Sequence, residues 1–352
     1  MAADNTNLIA VFCLAEIPPN ARNSLIDEAY EASSSDVSFT FITSSDPAAP
    51  LTVARSPVEH AIKSPGIEAC GNAVVQLENS EQSTVDPRYF VVLDKHSLQP
   101  ERGCIIGGTK GQNYVRCAFG VSRIAVSALR DQKKRWPDLW LDAALSGGVI
   151  SRPSGGTQSG GYRSFTDRED AKRCFEIHKQ REFRNEVPKG DKPYAVFVTA
   201  DVPVSILNEI LIKSESPDDL YGLCFLDTLE PNQQMKTTTA PLPNDFTSPF
   251  LGKDFMSILQ FVTDVLPNSS LDDTRFLVVD SFSLPSLSSQ PSVLLIDPKG
   301  HWWDDPEGCD MFEGCFGSRG SFQTAYNCLV VDVGSMDEYA SEGAIKGGVY
   351  DY

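Results

Sequence analysis

Apolar and polar positions follow two rhythms along this chain, and the same order of rhythms occurs twice. Leu8–Ala15 (LIAVFCLA) is a continuous apolar run closed by Glu-Ile-Pro-Pro, the pattern of a buried strand ending in a turn. Asn20–Ala32 (NARNSLIDEAYEA) then brings Leu25, Ile26 and Ala29 at helical spacing, with Asn20 as the cap candidate. Val37–Thr43 predicts a second strand, Tyr89–Leu93 a third and Cys104–Gly107 a fourth, and Tyr114–Phe119 reads as one more. The link from Ser97 to Gly103 is too short for a helical crossover, so the third and fourth strands are expected to be antiparallel and the sheet mixed. In the second half Asp254–Leu266 is the clearest helix, with Phe255, Ile258, Leu259, Val262 and Val265 near i, i+3, i+4 and i+7. Phe276–Val279 and Val293–Ile296 predict strands there, and Ser335–Tyr339 a helix start.

The recurrence extends to residue identity. Ala10–Pro18 (AVFCLAEIP) matches Ala195–Pro203 (AVFVTADVP) 185 positions on (195 − 10), with five identities and the pairs Glu/Asp and Ile/Val. Asp86–Leu98 (DPRYFVVLDKHSL) matches Asp272–Leu284 (DDTRFLVVDSFSL) at almost the same spacing, 186 (272 − 86). A looser match pairs Tyr114–Ser127 with Phe322–Ser335 at 208 (322 − 114), which would put 22 extra residues (208 − 186) into the second copy after Leu284. Self-similarity at a fixed period is the mark of a repeated structural unit. The expected fold class is α/β with some α+β character: two tandem, duplicated mixed-sheet units related by a pseudo-twofold. The first copy spans 1–145 and the second 191–352, with a loop inserted at about 298–320. Residues 146–190 join them, first as a Gly/Ser-rich loop (146–164), then as an amphipathic, surface-lying helix over Asp167–Glu186.

Composition narrows the partners. The 352 residues carry 30 basic and 48 acidic side chains, a formal net charge of −18, which repels phosphate backbones and anionic lipid. Nucleic acid and membranes are therefore not expected as partners. The first twenty residues lack a basic n-region, and no apolar run approaches the roughly 20 residues of a membrane span. Nine irregularly spaced cysteines, several inside apolar runs, fit reduced thiols in a cytoplasmic protein. Nucleophile-elbow, zincin, C-x-x-C, EF-hand and P-loop motifs are missing from the sequence, so neither a metal nor a cofactor is expected. Gly107–Gly111 (GGTKG) has neither the spacing nor the following helix of a phosphate loop and reads as a hairpin turn.

Chemistry concentrates in the inserted loop, Pro298–Cys309 (PKGHWWDDPEGC). It holds one of the four His, two of the four Trp and two adjacent carboxylates. His301 beside Asp304 or Asp305 has a carboxylate to orient its imidazole and raise its basicity, the usual partnership for proton transfer. Trp302 and Trp303 offer flat apolar area for an apolar substrate or a partner protein; packing into the gap left by a long loop is the plainer role. A zinc site from His301, Cys309 and Cys315 matches no standard spacing and lacks a fourth ligand. Asp94 and Asp280 stand at equivalent strand ends, as do Glu16 and Asp201. Carboxylates there commonly bond turn amides, and at a junction of fused copies they would also face one ligand.

The C-terminal stretch Asn327-Cys328-Leu329, Ser335-Met336-Asp337-Glu338-Tyr339-Ala340 and Ile345–Gly348 resembles the closing motif of a small α/β domain family of unknown function. Phe276–Asp280 followed by Val293–Asp297 is similar to that family's middle portion. Lys346 stands where the family has Arg, and Glu338 separates Asp337 from the aromatic. The resemblance covers the second copy better than the first; it implies a small α/β fold and no activity. Together these readings lead to one expectation: a small-molecule-binding protein with its pocket at the junction of the copies. If it is an enzyme, the expected chemistry is cofactor-independent acid–base work, as in an isomerase, cyclase or hydrolase. In that role His301, Asp304 and Asp305 are catalytic, and Trp302, Trp303, Asp94 and Asp280 bind substrate. The alternative is a non-catalytic interaction module that takes a protein partner on the Trp-bearing loop.

Overall fold

The computed structural model describes residues 8–32, 35–44, 46, 50–78, 84–99, 103–110, 113–150, 192–214, 222–232, 235–284, 292–297, 316–322 and 325. They fall into two compact units, 8–150 and 192–325, each with its own five-stranded mixed sheet.

In the first unit β1 (Leu8–Cys13), α1 (Pro19–Glu31), β2 (Ser38–Phe41), α2 (Ile67–Glu78), β3 (Val85–Leu93), β4 (Cys104–Gly108), β5 (Tyr114–Cys117), α3 (Phe119–Arg130) and α4 (Trp136–Leu145) follow one another. Every residue of β1 is buried, as its unbroken apolar run requires of a strand covered on both faces. The sheet order is β2-β1-β3-β4-β5. β1 runs parallel to β2 and β3, while β3–β4 and β4–β5 are antiparallel. Because β2 and β3 flank β1 on opposite sides, right-handed crossovers put α1 and α2 on opposite faces. On one face Ala10, Phe12, Phe90, Val92, Ile105 and Tyr114 pack with Cys70, Val74 and Leu77 of α2; α1 and α3 pack together on the other.

The second unit runs β6 (Tyr194–Val198), α5 (Val204–Ser214), β7 (Leu223–Phe225), α6 (Phe255–Asp264), β8 (Asp272–Val279), β9 (Ser292–Asp297) and β10 (Phe316–Ser321). Its sheet order is β7-β6-β8-β9-β10. The pairing senses repeat those of the first unit: parallel for β6–β7 and β6–β8, antiparallel for β8–β9 and β9–β10.

Register agrees as closely as order does. One row across the first sheet runs Phe12, Val92, Ile105, Arg116. Its counterpart in the second sheet runs Phe197, Val278, Leu294, Arg319. The spacing thus grows from 185 at the Phe pair to 186, 189 and 203 along the row. The looser match at 208 is thereby corrected: β5 corresponds to β10 through the two arginines, and the added length lies mainly between β9 and β10. The corresponding phenylalanines also meet edge-on in each core, Phe12 with Phe90 and Phe197 with Phe276.

The long connections after β2 and β7 are tied down alike. Ala54 donates its N–H to the Phe39 carbonyl (2.7 Å), and Thr238 donates to Leu223 (2.8 Å). The Asn23 side-chain oxygen accepts the Val58 N–H, and the Asn208 oxygen accepts that of Leu242, both at 2.7 Å. Val58 and Leu242 are buried, each directly after a cis proline, Pro57 and Pro241. These bonds satisfy backbone donors that would otherwise be buried without partners.

Three local expectations change. The cap of α1 is Pro18 rather than Asn20, because Pro19, with its preset φ and no N–H, serves as the first helical residue. The strand Tyr114–Phe119 stops at Cys117, and Phe119 opens α3 with its apolar stripe of Val121, Ala125, Val126 and Leu129. The first unit closes with a second helix, α4, whose Trp140 is buried and donates its indole N–H to the Tyr114 carbonyl (3.0 Å). The joining segment 151–190, the helix expected at Asp167–Glu186 and the C-terminal motif at 327–348 lie outside the described residues.

Candidate functional site

His301, Trp302, Trp303, Asp304 and Asp305 also lie outside the described residues. Asp94 and Asp280 are described, and their surroundings are the same in both units. Each follows the third strand and caps a short 3-10 turn, Lys95–Leu98 or Ser281–Ser283. Asp94 Oδ1 accepts the N–H groups of His96 and Ser97 and the Ser97 hydroxyl, each at 3.1 Å. Asp280 Oδ1 accepts the Phe282 N–H (3.0 Å) and the Ser283 hydroxyl (3.3 Å).

A buried arginine from the fifth strand completes each arrangement. Arg116 grips Asp94 with two parallel bonds, Nη1 to Oδ1 at 3.2 Å and Nη2 to Oδ2 at 2.6 Å. Arg319 Nη2 donates to Asp280 Oδ2 in the same sense. The Arg116 side chain is fully enclosed and that of Asp94 is 13% exposed. Burial alone would push the Asp94 pKa up, but the Arg116 bond and charge, joined by Ser97, outweigh it and hold the carboxyl below its ordinary value. A carboxylate held ionised and engaged at both oxygens fastens the end of β3 to β5 and is poorly suited to carrying protons.

The other candidate groups have plain surroundings. Gly108 donates to the Asn113 carbonyl (2.9 Å), and Asn113 Nδ2 to that of Lys110 (3.3 Å). Residues 107–110 of the glycine-rich stretch thus leave β4 in a turn tied to Asn113, the residue before β5. Glu16 and Asp201 are both exposed, beyond the ends of β1 and β6. His60 is exposed on the connection after β2, and His96 is half-buried in the turn capped by Asp94.

A different cluster gathers at the carboxyl end of β1. Cys13 ends that strand and bridges to Lys63, while Ser64 donates its N–H to the Cys13 carbonyl (2.7 Å). Arg22, which closes the first turn of α1, is 7% exposed. Its Nη2 donates to the backbone carbonyl of Glu59 (2.8 Å), and its buried Nε meets no acceptor. Among the described residues no carboxylate lies within ion-pair distance of it. Burial raises the Cys13 thiol to about 11; the Arg22 charge pulls it down and the neighbouring Cys70 pushes it up. Cys70 is likewise raised by burial to about 11, partly offset by a bond from Ser64. Both stay protonated at neutral pH, so neither is an activated nucleophile.

The start of α1 adds to the positive potential there. Pro18 offers no side chain to the first-turn amides, and that turn carries no acidic residue. The same place in the second unit is apolar: Val198 stands for Cys13 and buried Leu207 for Arg22. Sequence reasoning missed Arg22, although the signal was present. Extending the match at 185 by four residues beyond Pro18 sets Arg22 against Leu207.

Among the described residues no group of three or more His, Cys, Asp or Glu is placed to hold a metal ion. No helix among them is long and apolar enough to cross a membrane. No protein-family model matches the chain, and no similar curated protein or solved structure was found.

Proposed function

We propose that this chain is a small-molecule-binding protein built from two copies of one α/β unit, with its ligand held at the carboxyl end of β1 in the first copy. Duplication is supported by the shared strand order, the matched rows ending in Arg116 and Arg319, and the equivalent fastenings Asp94/Asp280 and Asn23/Asn208. Two unrelated units that shared only strand words would have no reason to repeat polar contacts at distant positions.

The observation that carries the binding reading is Arg22 against Leu207. Polar groups that recur in both units hold the fold, whereas this buried cation occurs in one unit and an apolar residue fills its place in the other. The scaffold therefore does not demand a charge there. Its location is also where open α/β sheets generally take ligands, beyond the strand carboxyl ends where neighbouring connections diverge, here between β1 and β3.

The test is a library of small metabolites screened by native mass spectrometry on the full chain, with binders mapped by hydrogen exchange. Protection should fall on residues 14–26 and 54–66 and spare the counterparts 199–211 and 238–254. A library without binders, or protection confined to the second unit, overturns the reading.

A further inference from the structure

We infer that the carboxyl end of β1 binds the oxyanion group of a small acid, a phosphate monoester or a carboxylate, through Arg22; this names the ligand class and rests on the binding reading above. Three features converge on negative charge. Arg22 is more than nine-tenths buried, its one hydrogen-bond partner among the described residues is a backbone carbonyl, and its Nε is enclosed without an acceptor. Removing a guanidinium from water without a counter-charge is costly, which favours an occupant that supplies one. The cation also sits near the start of α1, where the helix dipole is already positive and neither a cap side chain nor a first-turn acid offsets it. Its charge reaches the Cys13 thiol at the strand end, beside the bridge to Lys63. The acids nearest in sequence, Asp27, Glu16 and Glu28, have exposed side chains, as does Glu59, whose backbone carbonyl Arg22 meets.

The second unit works as an internal control. Leu207 occupies the equivalent place and is 1% exposed, with the neighbouring Asn208 fastening retained. Arg22→Leu is thus a substitution that this fold already accepts. The planar fork of arginine suits bidentate capture of an oxyanion, which an ammonium does less well.

The experiment measures melting temperature and binding heat for the full chain with sodium phosphate, sodium acetate and sodium chloride at matched ionic strength. Wild type should gain stability saturably with phosphate or acetate and not with chloride, and the stronger of the two identifies the acid class. Arg22→Leu should weaken that binding by roughly tenfold or more, with Arg22→Lys between the two. Without added anion, Arg22→Leu should melt no lower than wild type.

Equal anion responses in wild type and Arg22→Leu, or none in either, overturn the inference. A fall of several degrees for anion-free Arg22→Leu also overturns it, by showing that Arg22 is a fastener acting through the Glu59 carbonyl. A neutral metabolite that protects residues 14–26 equally in both proteins sinks the anion assignment while leaving the binding reading intact.

Discussion

Asp94→Ala tests whether the repeated Asp–Arg fastening governs stability. The substitution strands Arg116, whose side chain is fully enclosed, and frees the amides of His96 and Ser97 that the carboxylate accepts. Breaking a buried pair from one side typically costs about 3–5 kcal/mol, most of it the uncompensated charge left behind. The turn cap alone is worth about 1 kcal/mol and overlaps with that figure, so about 4 kcal/mol is expected in total. For a unit of this size each kcal/mol lowers the melting midpoint by about 2–4 °C, so the drop should be roughly 10 °C. Urea unfolding followed by circular dichroism supplies the free energy, in a cycle with Arg116→Leu and the double variant. The double variant should be more stable than Asp94→Ala, since it removes the stranded charge. The sign with pH follows from the lowered pKa. A group whose folded value lies below its unfolded value of about 3.9 contributes fully above that pH, and the contribution is lost as pH falls through the folded value. Wild type should accordingly lose more stability than Asp94→Ala on acidification below pH about 4. A cost under about 1 kcal/mol, or additive effects in the cycle, would refute the reasoning.

Three further outcomes follow from the described contacts. Asn23→Ala and Asn208→Ala should each cost about 1–2 kcal/mol and speed hydrogen exchange at Val58 or Leu242 respectively, since each frees one buried loop amide. Gly103→Ala should cost at least about 2 kcal/mol in urea unfolding, because φ is +58° and the new Cβ would lie 1.9 Å from the Cys117 carbonyl oxygen. Gly66→Ala, with nothing within 4 Å of the added carbon, should stay within about 1 kcal/mol of wild type. Cys13, Cys70 and Cys224, each raised to about 11, have about one thiolate per thousand molecules at pH 8. Iodoacetamide with mass-spectrometric readout should therefore modify them far more slowly in native protein than in urea.

Much of this architecture was written in local pattern. Continuous apolar runs flanked by turn residues located the strands, and the brevity of Ser97–Gly103 identified the antiparallel pair, because that inference needs only chain reach. Elements whose identity depends on tertiary context were harder to read. Phe119–Arg130 begins directly after a strand and has an Ala at its cap, so no sequence signal separates the two. The arginine correspondence was hidden because added length between β9 and β10 breaks the alignment, and only pairing register restores it. Asp94 and Asp280 were visible as repeated strand-end acids, yet their arginine partners come from strands 22 and 39 residues downstream. Arg22 was overlooked for a related reason. Burial without a counter-ion is a property of the folded surroundings, and the residue type alone suggests a solvated helix face.

The Phe90–Gly107 contact has a consequence for which side chains the two sheets can exchange. Phe90 lies opposite Gly107, and any Cβ on that glycine would come within 2.5 Å of the ring; the corresponding pair in the other sheet is Phe276 opposite Ile296. Position 107 therefore has no space for a side chain while the Phe90 ring stays where it is, whereas the second sheet holds Phe and Ile side by side at the equivalent place. Copying the second sheet's isoleucine into the first, as Gly107→Ile, would therefore displace the Phe90 ring from its edge-on places beside Phe12 and Tyr114.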